Sequence, residues 1–275
     1  MIKFTFLVDD NHDSQNEEVK NEHGFSLFIE FDGKRFLCDT GSSELFTLNA
    51  EKFGIDLKNI HFSFISHGHC DHTGGLRYIL DMNNAPVYLS DHIFNYKMFS
   101  YRHSPQKEIG IDQSLQKIYF NRFKFLSEST WITDKIAVIK NDSRSFDVPY
   151  SNSLLTIQKE ETEVADDFRH ELSLALDTPQ GLIVISSCSH NGAMNILDSS
   201  LRFTGRKKIF AFVGGLHFID GPHAANEANK FGEGMNKFFP GTTVYTGHCT
   251  GEMATKELSK YSNIKFFHTG SVLTF

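Results

Sequence analysis

Tryptophan occurs once and proline six times in 275 residues, cysteine only four times, and basic residues (27) are outnumbered by acidic ones (34). So few prolines leave no room for a Pro-rich linker. Four cysteines, Cys38, Cys70, Cys188 and Cys249, make no disulfide scaffold and point to a reducing compartment, the cytoplasm. No run of about 18 uncharged apolar residues exists, so no membrane span is expected. The opening residues, Met1–Asp10, lack a basic region ahead of a long apolar run and read as a first strand rather than an export signal. A net charge of −7 argues against a nucleic-acid partner.

The remainder has the composition of a globular protein, with 40% hydrophobic and 22% charged residues, which sets disorder and coiled coil aside. The 27 phenylalanines suggest a Phe-rich core. Strands alternate with helices along the chain. Ile2–Val8, Phe25–Phe31 and Arg35–Cys38 have strand patterning, with Asp32-Gly33 as a hairpin turn. His61–Ser66 and Pro86–Leu89 continue the strands, and Ser43–Phe53 and Gly74–Leu80 read as helices. The second half repeats the alternation, with strands at Leu172–Asp177, Leu182–Ser187, Lys208–Val213 and Thr243–Thr246. Between the halves, Tyr96–Phe125 carries six basic residues, two acidic ones and seven aromatics. Residues 91–150 therefore read as an inserted cap, and the plainest form of its basic-aromatic part is a helix pair. A second biased run, Glu160–Glu171, holds six acids.

The chemistry concentrates in Ser66-His67-Gly68-His69-Cys70-Asp71-His72-Thr73-Gly74-Gly75. With 14 histidines in the chain, chance would produce H-x-H-x-D-H in about two of a thousand such sequences. In an extended segment residues i and i+2 share a side, so His67 and His69 can reach one cation. Asp71 and His72 can turn to a second. Three later histidines, His190, His217 and His248, each follow a hydrophobic strand, where loops assemble sites. One ion can then be held by His67, His69 and His190, and a second by Asp71, His72 and His248, with His217 open to metal or substrate. Cys70, Cys188 and Cys249 flank these ligands, and a small buried hydrophobe is the plainer role for each. Of the other histidines, His12, His61, His92, His103, His223 and His268 belong to no constellation, and His170, beside Glu171, is the strongest exception.

This pattern resembles the metallo-β-lactamase superfamily. Leu7-Val8-Asp9, His23-Gly24-Phe25-Ser26, Asp39-Thr40-Gly41, Cys188-Ser189-His190-Asn191-Gly192, Gly214-Gly215-Leu216-His217 and His248-Cys249-Thr250-Gly251 are similar to one subfamily, the 7,8-dihydropterin-6-methyl-4-(β-D-ribofuranosyl)-aminobenzene-5′-phosphate synthase group. The resemblance implies an α+β fold over residues 1–275, a four-layer αβ/βα sandwich with the metal site at one edge. It also implies hydrolysis, or a related transfer, of an ester, amide or phosphoester. Many superfamily members carry a bridging Asp after the His190-like ligand, whereas this chain reads Val213-Gly214-Gly215-Leu216-His217.

The expected cofactor is one or two divalent ions, zinc first, with iron, manganese or nickel as alternatives. Such an ion lowers the pKa of bound water toward about 7, giving hydroxide at neutral pH. Asp71 would ligate and orient that nucleophile. Asp9, Asp39 and Thr250 are candidates for fixing the imidazoles, and His23, His217 and Arg102 for holding a small, phosphorylated or otherwise anionic substrate. Lactonase or phosphodiesterase activity is the alternative within the same chemistry, and a non-catalytic metabolite-binding protein the alternative outside it. The oligomeric state is open.

Overall fold

The computed structural model describes residues 1–12, 18–102 and 105–275; His103 lies outside them. The chain divides into two units, Met1–Ser127 with Leu154–His170 and His268–Phe275, and Glu128–Ser153 with Glu171–Phe267. Each holds a seven-stranded mixed sheet, and the first carries a further four-stranded one.

In the first unit, Lys3–Val8 pairs antiparallel with Ser26–Phe31, which turns into Lys34–Cys38. Asp32 and Gly33 make that turn at φ 51° and 73°, the primed geometry whose twist matches the flanking strands. Beyond it the pairing becomes parallel, through Phe62–Phe64, Val87–Ser90 and Phe123–Leu126. Parallel neighbours need crossover connections, and the helices Leu45–Lys52 and Leu76–Met82 lie in them. Phe46, Ala50, Leu76, Ile79 and Leu80 from these helices join Leu37, Ile65 and Leu89 in one buried cluster. Each of the Leu, Ile and Phe side chains contributes about 1.5–3 kcal/mol.

The second unit repeats the order. Ile136–Lys140, Leu172–Thr178 and Gly181–Ser186 are antiparallel, and then Ile209–Gly214, Thr243–Thr246 and Ile264–Phe266 follow in parallel. The helix Ala224–Phe238 buries Ala224, Ala228, Phe231 and Met235, the i, i+4, i+7, i+11 stripe of one face. With Ile196 and Leu197 of the helix Ala193–Thr204, Ala228, Phe231 and Met235 close over Val184, Phe212 and Val244.

Residues 91–150 are not one inserted piece. Lys97–Ser100 and Lys107–Glu108 join Leu155–Lys159 and Thr162–Ala165 in the four-stranded sheet. Phe123–Leu126 extends the first unit's large sheet, and Thr130–Trp131 and Ile136–Lys140 form the edge of the second unit's. The expected helix pair is replaced by short strands and the single-turn helix Ser114–Ile118. The reason is a period of two: Phe123 is buried while Lys124 is exposed, which suits a strand beside Val87–Ser90 and no helix.

Candidate metal centre

Parallel strands end at the same edge, so their following loops run side by side. Cys38 and Phe64 are register partners, which brings Asp39 next to the Ser66–His72 loop. Asp39 is fully buried and takes a left-handed φ of 58°, a conformation Asp tolerates better than most residues. Its carboxylate accepts the Ser66 N–H at 2.7 Å, the Ser66 hydroxyl at 2.6 Å and His72 Nδ1 at 2.8 Å. With its proton committed to Asp39, Ser66 Oγ accepts His67 Nδ1–H at 2.9 Å. One buried carboxylate therefore keeps a proton on Nδ1 of both imidazoles, so that Nε2 is the nitrogen left to bind a cation once the ring is neutral. His67 Nε2 lies 3.1 Å from His69 Nδ1, and the His67 and His72 rings are 4.2 Å apart.

Burial, then the neighbouring imidazoles, hold His67 well below the ordinary histidine value. Burial, then His170, brings His69 down to about 3. His72 differs: burial opposes its charge, but Asp71 and Asp39 outweigh burial and raise it to about 9. His67 and His69 thus offer neutral nitrogen donors, beside carboxylates that draw a positive charge to His72. Asp71 lies 3.4 Å from His72 Nε2 and 3.5 Å from His23 Nε2. The exposed His23 is tied back to Asp10 Oδ1 at 3.1 Å. Behind the loop, a Cβ on Gly75 would stand 2.3 Å from the Thr40 carbonyl oxygen, so only glycine permits this approach. Burial and then Asp71 push the Cys70 thiol up, in keeping with a small apolar filler.

The second unit uses the same device three times. Gly181–Ser186, Ile209–Gly214 and Thr243–Thr246 are parallel and release His190, His217 and His248 at one edge, all buried. Ser189, His217 and Cys249 have left-handed φ of 62°, 55° and 52°, a concentration of backbone strain typical of functional loops. Buried Glu171 accepts the His190 N–H at 2.7 Å and the Asn191 N–H at 2.8 Å. Asn152 Oδ1 meets His190 Nδ1 at 3.2 Å, and Ser151 Oγ meets His217 Nδ1 at 2.8 Å. The His190 and His217 rings are 4.1 Å apart. His217 thus ends a loop, Gly215–His217, that carries no carboxylate. Donor atoms of Cys188, His248 and Cys249 fall within 4.8 Å of one another.

Of the expected site residues, His23, His67, His69, Asp71 and His72 gather in the first unit, and His190 and His217 touch in the second. His248 stands with the two cysteines. Arg102 follows the strand Lys97–Ser100, half-buried. Asp39 holds an imidazole as expected. Asp9 accepts the Asn11 N–H at 2.9 Å, shaping the loop that carries Asp10. Thr250 Oγ1 accepts the Leu216 N–H at 3.3 Å, bracing the residue before His217. Sequence reasoning missed Asp10, Ser151, Asn152, Asp166 and the carboxylate role of Glu171. The acidic run Glu160–Glu171 was the available signal for the last two: its exposed start is an edge strand, while Asp166, His170 and Glu171 are buried.

The donor set fits a divalent cation: imidazoles with tautomers fixed by hydrogen bonds, an adjacent carboxylate, and charge demand at His72. No helix among the described residues is long and apolar enough to cross a membrane. The sequence profile described as "Metallo-beta-lactamase superfamily" matches residues 20–187. The 7,8-dihydropterin-6-methyl-4-(beta-D-ribofuranosyl)-aminobenzene-5'-phosphate synthase of Methanocaldococcus jannaschii is 27% identical over 295 aligned positions, 100% of this chain and 97% of its own. The crystal structure of a metal-dependent hydrolase of the beta-lactamase superfamily matches with a TM-score of 0.84 at 29% identity, covering 100% of this chain and 99% of that one. A diphosphatase from the PhnP family matches at 0.54 and 15% identity, over 100% and 97%, and shares the fold alone. The fold is the metallo-β-lactamase fold.

Proposed function

The chain belongs to the metallo-beta-lactamase superfamily, and on that basis we propose that it is a metal-dependent hydrolase of a small, phosphorylated or otherwise anionic ester or phosphoester. The observation that carries this reading is the buried relay Asp39–Ser66–His67 with its branch to His72. In this reading His67, His69, Asp71 and His72 are ligands, and His190 and His248 are further ligands. A divalent ion, zinc first, would supply Lewis acidity and lower the pKa of water toward about 7. Asp71 orients the attacking group and receives its proton. His23 is exposed and faces Asp71 at 3.5 Å, which suits proton exchange between that carboxylate and bulk water. His217 and Arg102 contact the substrate's anionic part. Four cysteines outside any disulfide suit the cytoplasm.

The test is elemental analysis of untagged protein and of His69→Ala, followed by turnover of a phosphomonoester, a phosphodiester and a lactone side by side. Stoichiometric divalent metal that falls sharply in the variant, with turnover of a phosphate ester, is expected. Negligible metal in both proteins ends the proposal. A second reading, group transfer onto a phosphate-bearing acceptor, is favoured by the full-length likeness to a protein named as a synthase of a (beta-D-ribofuranosyl)-aminobenzene-5'-phosphate compound. Product formation only when two substrates are supplied together would select it.

A further inference from the structure

Gly68 lies between His67 and His69, and its N–H donates to Nδ1 of His170 at 3.2 Å, across 102 residues of sequence. Because Nδ1 accepts, the ring proton sits on Nε2, which donates to Asp166 Oδ2 at 3.0 Å. Asp166 Oδ1 in turn accepts the Phe168 N–H at 2.7 Å. This closes a turn in which Phe168 takes φ 50°. Asp166, Phe168 and His170 are all buried. The Phe168 ring stands edge-on to His69 at 6.4 Å. The His170 ring lies 6.1 Å from His67, nearly parallel at 22°, and 5.7 Å from His69. A turn outside the H-x-H-x-D-H string thus touches both of its leading histidines and holds the peptide between them.

That peptide controls the pair. In an i, i+2 arrangement the separation and aim of the two imidazoles follow from the rotation of the intervening peptide planes. Downstream, the segment is anchored by Cys70 N–H to the Ile109 carbonyl at 2.7 Å. At its centre the anchor is an imidazole. A neutral ring accepts an amide without adding a second full charge beside the ligands, provided its proton is kept on the far nitrogen, and Asp166 does that.

We propose that His170, held in one tautomer by Asp166, is a positioning residue that sets the aim of His67 and His69 through the Gly68 amide. The proposal rests on the metal reading of that pair. Donor atoms of His69, Asp166 and His170 also lie within 4.8 Å of one another, so direct ligation by His170 is the competing outcome.

The experiment compares His170→Leu with His170→Asn, whose amide oxygen can stand where Nδ1 stood. Chelator-stripped full-length protein is titrated with Co(II), followed by its visible absorption. Hydrogen exchange of the Gly68 amide and the His170 tautomer are read by NMR without metal. His170→Leu should weaken Co(II) binding about 10–100-fold and speed Gly68 exchange, while His170→Asn stays within about threefold of the parent on both readouts. Unchanged affinity in His170→Leu overturns the proposal, and so does an equal loss in both variants, which would mean direct ligation. Should His170→Leu fail to fold, Asp166→Asn supplies the test. It should move the His170 proton to Nδ1, free the Gly68 amide to exchange and weaken Co(II); an unmoved proton with parental affinity refutes the idea. A parent protein that binds no Co(II) defeats the metal reading itself, whereas Gly68 exchange still reports on the His170 contact.

Discussion

Replacing Asp39 by Asn tests the relay with almost no change of shape. Asn tolerates the left-handed backbone at this position. Its single carbonyl oxygen can still accept the Ser66 N–H, now at 2.7 Å from Asp39 Oδ1. The other atom becomes an NH2 where Oδ2 now receives both the Ser66 hydroxyl and His72 Nδ1. To avoid donor facing donor, Ser66 must turn its hydroxyl toward His67 Nδ1, which moves the His67 proton to Nε2. His72 must likewise give up its Nδ1 proton and carry one on Nε2. Both nitrogens that would face a cation then bear hydrogens. Restoring the binding tautomers would leave two buried donor–donor contacts at about 1–3 kcal/mol each. Metal affinity should therefore fall by about two orders of magnitude, since 1.4 kcal/mol is about tenfold. Two hydrogen bonds to a charged acceptor are also lost from the fold, so stability should drop by about 2 kcal/mol and the melting temperature by about 4–8 °C. Competition with a chromophoric chelator measures the affinity, and long-range nitrogen–proton NMR reads the tautomers. Affinity within threefold of the parent, with both histidines still protonated on Nδ1, would refute the argument.

Three further outcomes follow from particular atoms. Gly75→Ala puts a Cβ 2.3 Å from the Thr40 carbonyl and 2.4 Å from that of Ser43, and chemical denaturation should show a loss of about 2–4 kcal/mol. Glu171→Gln leaves an NH2 facing the Asn191 N–H or the His190 N–H, now accepted at 2.8 and 2.7 Å. Hydrogen exchange of those amides should accelerate, and stability should fall by about 1–3 kcal/mol. For metal-stripped protein, His67 and His69 sit below their unfolded value, His69 at about 3. The unfolded chain thus binds more protons between pH 6.5 and 3, so stability is full above pH 6.5 and lost on acidification, at about 1.4 kcal/mol per pH unit for each fully shifted histidine. His72, raised to about 9, works oppositely: its contribution is full below pH 6.5 and lost as pH rises to 9. Melting temperatures from pH 4 to 9 should peak near pH 6.5; a flat profile would contradict both shifts.

Local order was readable because it depends on neighbours in sequence. The Asp32-Gly33 turn, the strands on either side of it and the helices within Ser43–Phe53 and Gly74–Leu80 all follow from backbone conformation and periods of two or 3.6. So does the first half of the site: H-x-H-x-D-H on a strand end states its chemistry within six residues. The basic-aromatic stretch misled because mixed aromatic and basic residues suit a helix or an edge strand. Only a vacant edge beside Val87–Ser90 decided for the strand at Phe123–Leu126.

What the chain determined alone was the inventory: which imidazoles and carboxylates exist, and which strand ends deliver them. The tertiary structure decided the partners. Asp39 meets His72 across 33 residues, Ser151 meets His217 across 66, and His170 meets Gly68 across 102. No local period encodes those separations. Asp39 and His72 meet because parallel strands discharge their loops at a common edge, and all three pairs depend on an order of strands that is fixed by burying apolar faces over the whole unit. A buried proton relay needs each donor opposite an acceptor within about 3 Å, a condition that exists only after that packing is complete.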